Sequence, residues 1–198
     1  MVSSPTSLVF PNSWSVWTAS TARGSDWEMK EIFTFKNLAE FWSHFNAMKT
    51  PSECANVEVA IFRSGVQPDW EQVPCSLGGR WSARLDRVGS QEALDQAWLN
   101  LVLAVVGGCL GPESILGVAY SGKGSHSKRV SVWLASSDKE SVLATGNAVK
   151  NQLRGELSDK DIGEMLFHDF GSENKSFAVI ANTGKTQRKE KPQSIGSE

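Results

Sequence analysis

The chain has 198 residues, 40% of them hydrophobic and 21% charged, with a formal net charge of -2. That length suits a single domain around one core, and the composition excludes a disordered or membrane-embedded chain. The slight negative charge excludes coating of long nucleic acid by charge alone, while leaving room for a small, local basic site.

Residues 1–7 are rich in Ser, Pro and Thr and are expected to be flexible, ahead of one domain spanning 8–181. Ser13–Thr18 alternates like a strand and sends Trp14 and Trp17 to opposite faces. The loop 20–26 ends directly on Trp27, and Glu28–Phe35 reads as a second strand. Asn37 suits the N-cap of a helix reaching about Met48. Its apolar set (Leu38, Phe41, Trp42, Phe45 and Met48) is too wide for one packed face, so one large aromatic should look outward. Thr50-Pro51 ends it, and Val57–Phe62 is strand-like.

Next comes Gly65–Trp81, GVQPDWEQVPCSLGGRW, a loop announced by Pro68 and closed by Gly78-Gly79. An indole face attracts a flat, electron-poor and above all cationic ring. The carboxylate of Glu71 beside Trp70 can accept two N–H donors from such a ring's edge, and a nearby arginine such as Arg80 can hold a phosphate. Flat cationic base, paired donors and phosphate together describe a modified purine nucleotide. Loop tryptophans more often plug cores, so the reading needs a second indole and further cations.

The strand Arg80–Asp86 places Trp81, Ala83 and Leu85 on one face and Arg80, Ser82 and Arg84 on the other. Ser90 caps a helix over Gln91–Val106, its stripe of Leu94, Trp98, Leu101, Val102 and Val105 widened by Leu99, Leu103 and Val106 until Gly107-Gly108 stops it. Ile115–Ser121 is a strand leading to the loop Gly122–Lys128. In Arg129–Leu134, Arg129, Ser131 and Trp133 share a face, with the cation and the indole roughly 13 Å apart across a shallow groove. Ser137–Glu140 reads as a capping box for a helix to about Arg154. Met165–Phe170 and Phe177–Ala181 return to strand, and the polar tail 182–198 is expected to be disordered. Helices covering one face of such an antiparallel sheet would leave the other free for ligand.

Several features argue against catalysis. Gly122-Lys123-Gly124 lacks the phosphate-binding P-loop pattern, and Gly184-Lys185-Thr186 lacks its first glycine. No serine, histidine or cysteine set forms a triad, and no carboxylate cluster near Glu71 would hold a metal. Cys54, Cys75 and Cys109 form no metal pattern, and an odd count suits a reducing compartment, with Cys109 the expected buried thiol. No leader or membrane-spanning run is present. The expectation is a cytoplasmic protein, with some nuclear pool allowed, needing no cofactor and no metal and binding neither membrane nor DNA.

The spacing Trp14, Trp17, Trp27, Trp42, Trp70, Trp81, Trp98 and Trp133 resembles the eight-tryptophan signature of the mRNA cap-binding translation initiation factor 4E family. Local wording agrees at Trp14-x-x-Trp17, Glu40-Phe41-Trp42, Pro68-x-Trp70-Glu71, Gly78-Gly79-Arg80-Trp81 and Trp98-Leu99. The likeness runs from about Phe10 to Gly155. Divergent wording elsewhere is reminiscent of kinetoplastid-protist paralogues.

The resemblance implies an α+β fold, a curved antiparallel sheet of about eight strands backed on its convex face by three helices, with ligand in the concave face. It implies that Trp27 and Trp70 sandwich an N7-methylguanine, that Glu71 accepts from N1 and N2, and that Trp133 touches the methyl group. Arg80, Lys123 and Arg129 would meet phosphates, with Lys128 competing with Arg129 and His126 a further contributor. The partner would be capped mRNA, hypermethylated caps included. On the helix side, Trp42 with Leu38, Leu99 and Leu103 would receive a leucine-containing helix from a 4G-like scaffold or a repressor. The acids that usually assist there are Ala39 and Asn100 in this chain. A second reading is therefore an adaptor or translational repressor acting mainly through that face, and a cap-hydrolysing enzyme is a distant third.

Overall fold

Eight strands form one sheet: β1 (Val9–Ser20), β2 (Lys30–Asn37), β3 (Val57–Arg63), β4 (Gly79–Arg84), β5 (Ile115–Lys123), β6 (Ser127–Leu134), β7 (Met165–Asp169) and β8 (Ala178–Ile180). Their order is β2-β1-β3-β5-β6-β4-β7-β8, every neighbouring pair antiparallel. The computed structural model describes residues 8–24, 28–111, 113–124, 127–171 and 178–180. Trp27, His126, the segment 1–7 and the tail 182–198 lie outside the described residues. The curved antiparallel sheet backed by helices is the architecture the resemblance implies.

Four helices accompany the strands: α1 (Leu38–Phe45), α2 (Gln91–Val106), α3 (Lys139–Leu153) and the short α4 (Asp159–Ile162). Strand alternation sends Trp14 and Val16 of β1, Trp81 and Ala83 of β4, and Val130 and Val132 of β6 to the helix-covered face. There they meet Leu94, Leu101 and Val105 of α2 and Val142, Val149 and Leu153 of α3 in the main core. Each fully buried aliphatic side chain contributes roughly 1.5–3 kcal/mol. The Trp81 indole N–H also donates to the Val142 carbonyl at 2.6 Å, tying the sheet's middle to α3. Truncating Leu101, wholly buried at the centre of this layer, would cost about 2–5 kcal/mol.

Gly78-Gly79 has a steric reason. A Cβ on Gly79 would overlap the His168 carbonyl and lie 2.6 Å from the Phe167 ring, and one on Gly78 would overlap the Leu134 carbonyl. β4 can slide between β6 and β7 only because these two residues have no side chain.

Three local expectations need correction. α1 stops at Phe45 rather than near Met48, because Asn46, Ala47 and Met48 tighten into turns bonded to the carbonyls of Trp42, His44 and Phe45. α3 is capped by Asp138, whose carboxylate accepts from Ser141 N at 2.9 Å, so Ser137 opens no capping box. Asp138, not Ser137, directly precedes the first helical residue, Lys139, and so occupies the cap position. Finally, the buried thiol is Cys75, pushed up to about 11 by burial, whereas Cys109 is turned outward just beyond the Gly107-Gly108 stop.

Candidate functional site

Residues paired directly across an antiparallel ladder point to the same side, so the open face can be read as rows. One row runs Ser15, Phe62, Gly117, Trp133, Arg80, His168. The next is Trp17, Ala60, Ala119, Ser131, Ser82, Leu166, and the third Ala19, Glu58, Ser121, Arg129, Arg84. Lys123 pairs with Ser127 one step further out on the same face. Lys128 has the opposite parity, with its backbone N–H held by the Asp86 carboxylate at 2.7 Å. The structure thus places Arg80, Arg129 and Lys123 on one face, in successive rows outward, and sets Lys128 on the other.

The loop between β3 and β4 folds beneath this face. Pro68 is buried, Val66 and Cys75 pack into a second apolar cluster with Phe62, Ala119 and Trp133, and Asp69 shapes the turn. One Asp69 oxygen accepts from Glu71 N at 2.9 Å and the other from Gln72 Nε2 at 2.9 Å. With the loop so anchored, Trp70 is left 52% exposed and Glu71 exposed beside it. An exposed indole on an anchored loop is preorganised to stack on an incoming ring.

Trp133 is placed differently from a bare groove wall. It is buried, with Phe62 edge-on at 5.4 Å between centroids, Phe170 tilted at 4.9 Å, and the Arg80 guanidinium 5.5 Å over its ring. Arg80 also lies 5.9 Å over Phe170. The expected shallow groove is therefore partly filled: the floor is an aromatic layer with a cation lodged in it. Phe170 was missed in the sequence. Its only signal is parity, two residues beyond His168 at the end of β7.

Burial, and secondly the charge of Arg129, push Arg80 down to about 10. Its Nε is buried with no hydrogen-bond partner among the described residues, as is the Trp17 indole nitrogen on the same face. A desolvated, still cationic guanidinium with a spare N–H and a second arginine nearby attracts an anion strongly. Glu58, two strands from Arg129 in the same row, offsets this only in part.

On the helix side, Leu38, Trp42, Leu99 and Leu103 are all half-buried against the main core. Trp42 stands edge-on to Phe41 at 4.9 Å and to Phe45 at 6.0 Å, and Phe41 is the aromatic that faces the core. The end of α1 and the first half of α2 flank a cavity of about 500 Å³ lined by Phe45, Met48, Trp98, Leu99 and Tyr120. Asn100, standing where an acid was expected, donates to the Glu156 carboxylate at 3.1 Å, which places a negative charge beside α2 after all.

Helices on one side of the sheet, with an exposed indole, a carboxylate and clustered arginines on the other, define an α+β receptor for a flat ring bearing anionic groups. The chain belongs to the eukaryotic initiation factor 4E family, whose model matches residues 9–186. It is 33% identical over 170 residues to eukaryotic translation initiation factor 4E-1 of Caenorhabditis elegans, covering 82% of this chain and 79% of that protein. Among solved structures it is similar to Ascaris suum eIF4E-3 in complex with an m2,2,7G cap, with a TM-score of 0.76 and 26% identity over 88% of this chain and 98% of the other. It is also similar to C. elegans eIF4E-3 in complex with the 4E-binding protein Mextli and a cap analog, with a TM-score of 0.76 and 25% identity over 88% of this chain and all of that one (100%).

Proposed function

We propose that this chain binds the N7-methylguanosine cap of mRNA on the open face and a leucine-motif helix of a 4G-like scaffold on the helix face, initiating translation without catalysing a reaction. The observations that carry the first half are the exposed Trp70–Glu71 pair on a loop anchored to the open face and the desolvated, under-bonded Arg80 on that same face. The cap complex of the Ascaris relative supports the same reading.

Methylation at N7 makes guanine cationic. Stacking on Trp70, with Trp27 as the second indole, then gains about 0.5–2 kcal/mol per favourable face from cation–π attraction. Base–aromatic stacking adds roughly 1–3 kcal/mol, and the N1–H and N2–H bonds to the Glu71 carboxylate about 1.5–3 kcal/mol. Trp133, 4% exposed and packed against Phe62, Phe170 and Arg80, backs the floor on which the methyl group lies. Arg80 and Arg129 take the phosphates, with Lys123 at the outer end. Losses of translational and rotational freedom take back much of this, leaving binding near -8 kcal/mol, about micromolar. Glu71 acts as an acceptor, not as a base. All three described thiols are free, which suits the reducing cytoplasm.

The second half is supported by the four half-buried side chains of α1 and α2 and by the Mextli complex of the C. elegans relative. An adaptor or repressor that relies mainly on this face is the second reading, favoured specifically by the half-exposed Trp42.

Tryptophan fluorescence titrated with N7-methyl-GTP against GTP tests the cap reading. The methylated nucleotide should quench strongly and bind at least about tenfold more tightly, about 1.4 kcal/mol. Equal affinities would end it. Incubation with capped dinucleotide should leave the ligand intact, and hydrolysis would overturn the non-enzymatic part.

A further inference from the structure

The third row of the open face holds an arginine that cap binding leaves unused. Register sets Arg84 of β4 directly opposite Arg129 of β6, their Cα atoms about 4.5–5.5 Å apart on one side of the sheet. Like charges paired across a ladder are destabilising. Neither guanidinium has an ion-pair or hydrogen-bond partner among the described residues. An anion lying between the two side chains relieves the pair. From Arg129 the row runs one way through Ser121 to the Glu58 carboxylate, and the other way to Arg84. A polyanion passing Arg129 is therefore drawn toward the corner where β4 meets β7.

That corner is hollow. A cavity of about 570 Å³ there is lined by Arg84, Arg87, Leu166, Asp86, Asp161 and Glu164. The volume falls in the range of small-ligand sites, roughly 300–1,000 Å³. Arg84, Arg87 and Glu164 are exposed and Leu166 is 42% exposed, so these side chains are within reach of a ligand. Leu166 pairs with Ser82, one row in from Arg84, which puts its apolar surface on the open face.

The lining is of three kinds, and the combination selects. Two guanidinium groups attract an anion and can also stack on a flat ring. The leucine offers an apolar face. The carboxylates repel a bare phosphate and accept N–H and O–H donors. Two of them are partly engaged within the protein: Asp86 accepts from the Lys128 N–H at 2.7 Å, and Asp161 from the Ser158 N–H at 3.0 Å and hydroxyl at 2.6 Å. Glu164 has no partner among the described residues. A nucleoside carried on a phosphate chain meets all three demands. Its ring face is apolar, its base amino and ribose hydroxyl groups donate, and its linkages are anionic. A free phosphate lacks the ring and the donors, and an amine lacks the anion.

We infer that this corner holds the first nucleoside of the RNA beyond the cap's phosphates. Arg84 and Arg87 meet the linkages on either side of it, Leu166 lies against the base, and Glu164 accepts from the base or the ribose. These residues set affinity for capped RNA as distinct from the cap alone. The inference rests on cap binding by the open face and extends the ligand by one subsite.

Isothermal calorimetry on the full chain compares N7-methyl-GTP with adenylyl-guanosine carrying an N7-methylguanosine cap. The capped RNA should bind at least about tenfold more tightly. Arg84→Gln and Leu166→Ser, both at exposed positions, should each narrow that margin to less than about threefold. The margin is a ratio of two affinities in one preparation, so a general loss of stability does not move it. Equal affinity for the two ligands in the parent, or a full margin in either variant, would overturn the proposal. So would a margin that falls with Lys123→Ala and not with Arg84→Gln, which would route the RNA over the β5–β6 hairpin. If N7-methyl-GTP itself does not bind, the cap reading fails and this subsite with it. Tight binding of N7-methyl-GTP without a margin removes the subsite alone.

Discussion

Arg80 shows what a single side chain can hold in reserve. Burial costs it hydration, Arg129 adds repulsion, and its Nε has no partner among the described residues. A group in that state destabilises the free protein and rewards an anionic ligand. Arg80→Met keeps the stem against Trp133 and Phe170 and removes the charge. The variant should melt at a higher temperature than the parent, yet lose about 1.5–3 kcal/mol of affinity for N7-methyl-GTP, the worth of a charged hydrogen bond. A lower melting temperature with unchanged affinity would show that Arg80 is held by structure rather than for ligand. Glu71 is the opposite case: it is exposed, on a loop whose turn is made by Asp69, so nothing in the fold depends on it. Glu71→Ala should melt like the parent and bind N7-methyl-GTP more weakly by roughly 1–3 kcal/mol. Retained affinity in calorimetry would mean that the base edge meets a different acceptor.

At the scale of the element, α1 divides its aromatics between two tasks. Phe41 is buried against Phe35 and Phe10, whereas Trp42, one residue on and about 100° around the helix, is half-buried. Trp42 is thus neither a free anchor nor a core residue. Trp42→Ala should cost about half of what a fully buried aromatic does, on the order of 1.5–2.5 kcal/mol, and should abolish capture of a leucine-motif helical peptide while leaving cap affinity intact. Thermal denaturation, peptide binding and cap titration on the same preparation check all three outcomes. A variant that still binds the peptide would remove Trp42 from the helix-face site. α2 presents Leu99 and Leu103 beside it while burying Leu94, Leu101, Val102 and Val105, which is why its apolar stripe is wider than the core alone requires.

At the scale of the whole molecule, the two faces share one sheet, and a ligand that binds only the folded state stabilises all of it. At about 100 times its dissociation constant, N7-methyl-GTP should add roughly 2.7 kcal/mol. For a chain of this size that raises the melting temperature by about 5–10 °C, at 2–4 °C per kcal/mol. GTP at the same concentration should shift it far less, and scanning fluorimetry with both nucleotides decides. A shift common to both would point to phosphate binding without selection of the base.

Much of this was legible in the chain itself. Strand alternation around Trp81 and Arg80 separates core from ligand face because the side-chain period of a strand is two, and that period is local. Asn37 and Ser90 cap their helices as read, since a cap needs only its own side chain and the next turn. The Trp-Glu and Gly-Gly-Arg-Trp wording, together with the tryptophan spacing, was enough to identify the family. The long-range register was not legible, because pairing partners far apart in sequence are chosen by packing rather than by local pattern. Only the register sets Arg129 beside Ser121 and Arg84 and brings Trp14 opposite Arg63. The cover over Trp133 was equally hidden: Phe170 reaches it from a strand that adds to β4 through a distant stretch of chain. Burial is decided the same way. Nothing local distinguishes Arg80 from Arg84, or Cys75 from Cys109, until the tertiary structure settles which of each pair is taken out of water.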